Sequence, residues 1–325
     1  MFDSLKKKTA AIFALSDQIP DVVSARLGFE RFAKYMFEQV LEQIDRVERD
    51  ETVTNRAEAL SELRRLGLDD FGLVMWSMPD ARFPKLSALL PAMASAEAQR
   101  HWTGRSGIGL LKPTVNFVRI AAYNYAKITG SAISSQTRIL DYGCGYGRIA
   151  RLMYYFADEA NIWGVDPWEK SISLCNEAGL GRNFRQSQYL PDRLPVSDAP
   201  FDLIYAYSVF THLSEAASLA ALRALRRHVH ERSLLVITVR PIEYWDLARY
   251  IPPRTAEHLK RAHRSNGLAF FPYSDGGGGN PTNETYGDAS IAFDWFASKC
   301  PEWNVRQIDR SLSDRLQTYV FLTPA

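Results

Sequence analysis

The run Asp141-Tyr142-Gly143-Cys144-Gly145-Tyr146-Gly147 is where the chain concentrates residues suited to holding a ligand. Glycines at alternate positions let a strand turn sharply into a helix. They also let a ligand approach the backbone, because no Cβ stands in the way. The apolar run at 137–141 before it and the helical pattern from Arg148 to Phe156 after it supply that strand and helix. Asp166 ends the next apolar run, 25 positions after Asp141. A carboxylate at the end of a parallel strand can accept hydrogen bonds from both hydroxyls of a ribose. The spacing points to a nucleoside-bearing ligand above the carboxyl ends of neighbouring strands. The acid that leads the turn narrows the choice. A dinucleotide fold offers its glycines and a helix N-terminus to a pyrophosphate, and an acid in front of them repels that group. S-Adenosylmethionine has no phosphate and carries an α-amino group, a carboxylate and a sulfonium, so it suits an acid-led turn. An NAD-type turn is the competing reading of the glycines alone. A solvent-facing acid is the competing reading of Asp166 alone.

Methyl transfer from a sulfonium is a displacement at carbon with the leaving group already activated. What remains is to align the acceptor behind the methyl, exclude water, and take up a proton if the acceptor is a hydroxyl. His212 is the candidate base, because imidazole titrates near neutrality; organising the turn before the next helix is its other reading. Ser214 stands where it would cap that helix. Arg240 ends the strand candidate 233–239 and, with Tyr244 and Tyr286, is a candidate for the substrate side, since strand ends face the ligand crevice. Arg105 lies in Trp102-Thr103-Gly104-Arg105-Ser106-Gly107, a glycine-flanked loop that would gate the cofactor and meet an anionic group. Asp288 reads as the cap of a late helix. The six histidines and the three cysteines (Cys144, Cys175, Cys300) show no metal-ligand spacing. Neither a metal nor a disulfide framework is expected.

These residues need a scaffold of alternating strands and helices. Strand candidates at 137–141, 161–166, 201–207 and 233–239 alternate with helical stretches such as 214–228, the pattern of a parallel sheet covered by helices. A helix over 290–299 and strands near 303–309 and 317–323 follow. Upstream, amphipathic spacing predicts helices over Ser24–Asp45, 54–66 and 115–128, the last closed by Gly130, with short pieces around Pro79, Pro84 and Pro91 between them. The organisation expected is a mainly helical extension over 1–114 and a ligand-binding domain over 115–325. The stretch 241–288, which lacks simple periodicity and contains Gly276–Gly279, reads as an insertion lining the substrate.

Composition is that of an ordinary globular chain, 325 residues with 46% hydrophobic and 23% charged. A net charge of +2 gives no pull toward nucleic acid or an acidic membrane. No apolar run reaches membrane-spanning length, and no signal peptide is read at the start. The expectation is a soluble, cytoplasmic protein whose oligomeric state is unread.

The segment RILDYGCGYGRIARL resembles the first motif of class I S-adenosylmethionine-dependent methyltransferases, IWGVDPW the second, and FDLIYAYSVFTHLSE the fourth-strand segment. The resemblance covers about 115–325 and is nearest a branch associated with bacterial glycans and surface polysaccharides. It implies a Rossmann-like, doubly wound, mostly parallel seven-stranded sheet with an antiparallel C-terminal strand. It implies cofactor contacts from Asp141, the backbone of Gly143, Cys144 and Gly145, Gly147, Asp166, Pro167 and Trp168. Tyr207 and Ser208 would border the methyl group. Gln186-Ser187-Gln188 stands where an Asp is common at the adenine edge, and Gln188 can still pair with the adenine amino group. The acceptor implied is a small molecule or glycan, methylated at oxygen. Alternatives are methylation at nitrogen and a catalytically silent protein that only binds the cofactor. Nucleic acid is not an expected acceptor: Ala206-Tyr207-Ser208-Val209 replaces the Asn/Asp-Pro-Pro-Tyr/Phe run, and the chain has no Pro-Cys pair.

Overall fold

The computed structural model describes residues 35–273, 284–311 and 314–325, the side chain of Arg315 excepted. The start of the first predicted helix (24–34) and the glycine run 276–279 lie outside the described residues. Six helices lead in: α1 (Leu41–Arg49), α2 (Arg56–Leu63), α3 (Leu68–Ser77), α4 (Pro84–Leu89), α5 (Ala96–Thr103) and α6 (Ile108–Thr129). Then come β1 (Ile139–Tyr142), α7 (Ala150–Met153), β2 (Ile162–Asp166), α8 (Glu169–Glu177), β3 (Phe184–Gln186), β4 (Phe201–Ala206), α9 (Glu215–Arg226) and β5 (Val229–Val239). The remainder is α10 (Tyr244–Leu247), α11 (Pro253–Asn266), β6 (Leu268–Pro272), β7 (Gly287–Ile291), α12 (Phe293–Lys299), β8 (Trp303–Ser311) and β9 (Asp314–Pro324).

The main sheet has seven strands in the order β3-β2-β1-β4-β5-β9-β8. The first five are mutually parallel, β9 runs antiparallel to β5, and β8 pairs antiparallel with β9. This is the expected doubly wound sheet with antiparallel C-terminal strands. Strands β1 and β4 read as near-continuous apolar runs because helices cover both faces. Strand order reverses between β1 and β4, and such a switch point opens a crevice at the carboxyl ends of the strands.

The helical extension is built into the fold. Ile44, Leu60, Phe71, Val74 and Leu86 share one buried cluster with Ile139, Leu203, Leu234 and Phe321 of the sheet. Helix α6 begins at Ile108, earlier than the predicted 115, with Pro113 in its second turn. The expected boundary at 114 therefore falls inside a continuous helix. Side-chain bonds tie α6 to β8, among them Asn116 Nδ2 to Ser311 Oγ, Asn124 Nδ2 to Asp309 Oδ2, Gln307 Nε2 to Asn124 Oδ1 and Lys127 Nζ to Gln307 Oε1.

Where the sequence lacks simple periodicity, the described part of 241–288 is ordered structure. Helix α11 buries Ala256, Leu259 and His263, spaced three and four apart, and ends at Gly267 with φ 76°. Its other positions are nearly all charged or polar, which hides so thin a stripe. Strands β6 and β7 pair as a second, antiparallel sheet. The late helix starts at Phe293, not 290. Asp288 lies within β7 and is fully buried, so it does not cap that helix.

Candidate functional site

The glycine turn hangs on β2: the amides of Gly143 and Cys144 both donate to Val165 O, at 2.8 and 3.1 Å. Gly143 has φ 77°, and a Cβ there would stand 2.4 Å from Val209 Cγ2. Gly147 has φ 72°, and its Cβ would stand 2.1 Å from Leu180 Cδ1. Left-handed backbone and lack of space together demand glycine at both positions. Regular helix after the turn is confined to Ala150–Met153, shorter than the predicted Arg148–Phe156.

Asp141 is 2% exposed, and its Oδ2 lacks a hydrogen-bond partner. Burial pushes its pKa up to about 8, against the pull of the neighbouring Tyr205 hydroxyl and the Arg148 charge. Asp166 faces the turn. Its Oδ2 accepts from Gly145 N and its Oδ1 from Trp168 N, both at 2.9 Å. Burial raises its pKa, and those two amides hold the rise down. Beyond it opens a cleft of about 540 Å³ lined by Pro167, Trp168, Lys170, Gln186 and Tyr189 among others. Gln186 Nε2 donates to Pro167 O at 3.1 Å. Gln188 is exposed and outside this lining. The Cys144 thiol is buried in the turn, which raises its pKa.

A second cluster gathers at the ends of β4 and β5. Arg240 and Asp288 form a buried ion pair through Nη1 and Oδ1. The guanidinium lies over the Tyr244 ring, 4.1 Å from its centroid, and the Tyr273 hydroxyl donates to the same Asp288 oxygen at 2.7 Å. His212 Nδ1 lies 2.7 Å from Gly287 O, which accepts only if that nitrogen carries the proton. Nε2 is then the acceptor from Arg240 Nη2 at 3.3 Å. Burial first, and the Arg240 charge second, lower the His212 pKa to about 3. The Tyr286 ring stacks on His212, with centroids 5.2 Å apart and planes at 19°. Its pKa is pushed up to about 12 by burial and by the charge of Asp166, which links this cluster to the acid of β2.

Tyr207 and Ser208 leave β4 between the two clusters. Ser208 is the only non-glycine among the described residues with left-handed φ, at 60°. Its amide donates to Thr238 Oγ1 at 2.7 Å, and its Oγ accepts from Gln317 Nε2 at 3.1 Å. Such backbone costs on the order of 1–3 kcal/mol and persists where the surroundings fix it. The Tyr207 ring packs edge-on to Phe117 with the Arg148 guanidinium over its face, and its hydroxyl donates to Asp314 Oδ2. Arg148 in turn donates to Thr114 of α6. Asp314 opens β9, and burial raises its pKa against the pull of the Tyr207 hydroxyl and of Arg148 and Arg105. Sequence reasoning missed Asp314. Its signal was an acid at the head of the last strand candidate, on the side where β5 ends. Ser214 Oγ accepts from Ala217 N, the N-cap expected of it.

The fold thus brings Asp141, the glycines, Asp166, Pro167 and Trp168 together. Arg240, Tyr244, Tyr286 and His212 form a neighbouring group, and Arg105 approaches through Asp314. Among the described residues no group of three or more His, Cys, Asp or Glu could hold a metal ion, and no helix is long and apolar enough to cross a membrane.

Residues 139–232 match the sequence family described as a methyltransferase domain. Over 97 residues, 29% of this chain, the sequence is 30% identical to the sterol 24-C-methyltransferase erg6 of Schizosaccharomyces pombe. The match covers 25% of that relative, so the chain spans about a quarter of its length. Among solved structures, the DhpI–SAH complex is 15% identical with a TM-score of 0.41, covering 66% of this chain and 87% of that one. An S-adenosylmethionine-dependent methyltransferase from Clostridium acetobutylicum is 11% identical with a TM-score of 0.41, covering 66% and 98%. The matched residues 139–232 span β1 to the start of β5, the parallel half of the doubly wound sheet.

Proposed function

We propose that the chain transfers a methyl group from S-adenosylmethionine to a hydroxyl of a small-molecule or glycan acceptor. The observation that carries the reading is the pairing of an acid-led glycine turn with a buried carboxylate at the end of the next strand, within a methyltransferase domain. The residues fit the cofactor. Asp141 has a buried oxygen without a partner, which suits the α-amino end. Asp166 stands at the strand end with each oxygen held by one backbone amide, the place and the group suited to a ribose diol. Pro167 and Trp168 border the adenine side, and Ser208 stands at the methyl side. The bound sulfonium supplies an activated methyl group.

The chain's own contribution is to align the acceptor, exclude water and accept a proton. Both nitrogens of His212 are committed and its pKa is far below neutrality, so we assign it the part of a positioning residue that holds Gly287 and Arg240 in place. The proton of the acceptor passes to the Tyr207 hydroxyl as that hydroxyl's own proton moves to Asp314 Oδ2. Arg240 is neutralised by Asp288 and lies over the buried Tyr244 ring, which favours an uncharged, hydroxyl-bearing acceptor.

Calorimetric titration with S-adenosylhomocysteine tests the cofactor. Binding should weaken about 10- to 100-fold in Asp166→Ala, the worth of charge-assisted hydrogen bonds, and NAD should not bind. A labelled-methyl screen against sugars and small hydroxyl compounds then tests the acceptor. Failure of the folded chain to bind S-adenosylhomocysteine would overturn the assignment.

A further inference from the structure

Three groups of the chain converge on the Asp166 carboxylate, and they come from two different turns. Gly145 N, in the glycine turn after β1, donates to Oδ2, and Trp168 N, after β2, donates to Oδ1, both at 2.9 Å. The Ser171 hydroxyl, in the first turn of α8, is the third; like the two amides it pulls the Asp166 pKa down against burial. Trp102, the penultimate residue of α5, meets all three residues. Its ring stacks on Trp168, with centroids 4.5 Å apart and planes at 23°. Its Cδ1 stands 3.3 Å from where a Cβ on Gly145 would be, so the indole covers that glycine. Its N–H donates to Ser171 Oγ at 3.0 Å. A hydroxyl has one proton to give. With its oxygen accepting from the indole, Ser171 keeps that proton for the acid. Ser171 is fully buried, so water does not compete for it.

We propose that Trp102 is a positioning residue of the cofactor site, a brace from the helical extension that holds Gly145, Trp168 and Ser171 in place around Asp166; this rests on the reading above, in which Asp166 takes the ribose. The cleft beyond Asp166 is lined by Trp168 and not by Trp102, so the brace acts through the residues it holds. Donors fixed before the ligand arrives spare it the cost of ordering them. A brace needs a firm base, and α5 has one. Ser95 Oγ caps its start by accepting from Ala98 N at 3.2 Å. Gln99 Nε2 donates to Ala94 O at 2.7 Å, and its Oε1 accepts from Gly107 N at 2.8 Å, so one side chain ties both flanks of the helix. Trp76 Nε1 donates to Gly107 O at 3.0 Å, and Trp76 belongs to the buried body that the extension shares with the sheet. The residues matched to the methyltransferase family begin at 139, so this support for the site comes from outside them.

Calorimetric titration of the full chain with S-adenosylhomocysteine, with Trp102 varied in two steps and on two backgrounds, tests this. Trp102→Ala removes the ring and its N–H and should weaken binding about tenfold. Trp102→Phe keeps a ring against Trp168 and loses only the N–H, so it should recover part of that loss, to about fivefold below wild type, the worth of one hydrogen bond. On an Asp166→Ala background either substitution should cost less than about twofold, because the group they position is gone. A merely structural contact, or one made to the ligand itself, would cost the same on both backgrounds. The Phe variant carries the comparison by itself if Trp102→Ala does not fold. Equal losses on both backgrounds, or wild-type affinity in the Trp102 variants, overturn the proposal and leave the cofactor reading intact. Absence of binding by the folded wild type overturns both.

Discussion

His212 separates two mechanisms by a number. In the folded chain its pKa is lowered from 6.5 to about 3. Above pH 6.5 the ring is neutral folded and unfolded, and it contributes nothing to pH dependence. Below that value the unfolded chain takes up a proton that the folded chain refuses, so stability falls as pH falls, until about pH 3. Each unit is worth about 1.4 kcal/mol, so by about pH 4.5 the loss is about 2 to 3 kcal/mol. The side chain is only 16% exposed, so little solvent screening intervenes. His212→Asn can keep a donor for Gly287 O and an acceptor for Arg240 but cannot titrate. Urea denaturation of both proteins at about pH 7 and about pH 4.5 isolates the effect, since the other groups are common to both and cancel in the difference. Wild type should lose about 2 to 3 kcal/mol more than the variant, and the variant should keep methyl transfer to within about tenfold. A general base contributes about 10²- to 10⁴-fold. A rate loss of that size, with disappearance of a pH limb near neutrality, would refute the positioning role.

Asp288→Asn should destabilise by about 3–5 kcal/mol in the same denaturation assay, because it leaves Arg240 buried without its counter-charge. Replacing both partners, Arg240→Met with Asp288→Leu, should recover part of that loss; a double variant as unstable as the single one would contradict the ion-pair account. Asp314→Asn should lower kcat about 10²-fold or more and remove the acid limb of the pH–rate profile, with S-adenosylhomocysteine affinity unchanged. Retention of the rate across the pH range would show that the proton leaves by another route.

What was legible in the sequence was local. The glycine turn, Asp166 and the Ser214 cap declare themselves because their partners lie within one strand–turn–helix unit. The β–α alternation gave the sheet for the same reason. His212 kept two readings in the sequence because what decides its protonation arrives from elsewhere: Gly287 lies 75 residues on and Arg240 lies 28. Asp288 resembled a cap because it stands just before a helix, yet β-pairing with Phe271 turns it into the core as the partner of Arg240. Asp314 had no motif at all; only the antiparallel return of β9 alongside β5 brings it over Tyr207. The Trp102–Trp168 stack, across 66 positions, was equally hidden.

The helices before β1 and one face of the sheet are a single buried body. One practical result concerns chimaeras. Exchanging residues 1–114 for those of a methyltransferase, in order to borrow its acceptor preference, would cut α6 and leave Ile139, Leu203 and Leu234 against an unmatched partner. The graft must carry the facing side chains of the sheet with it. The extension of this chain is part of the core and is not a separable cassette.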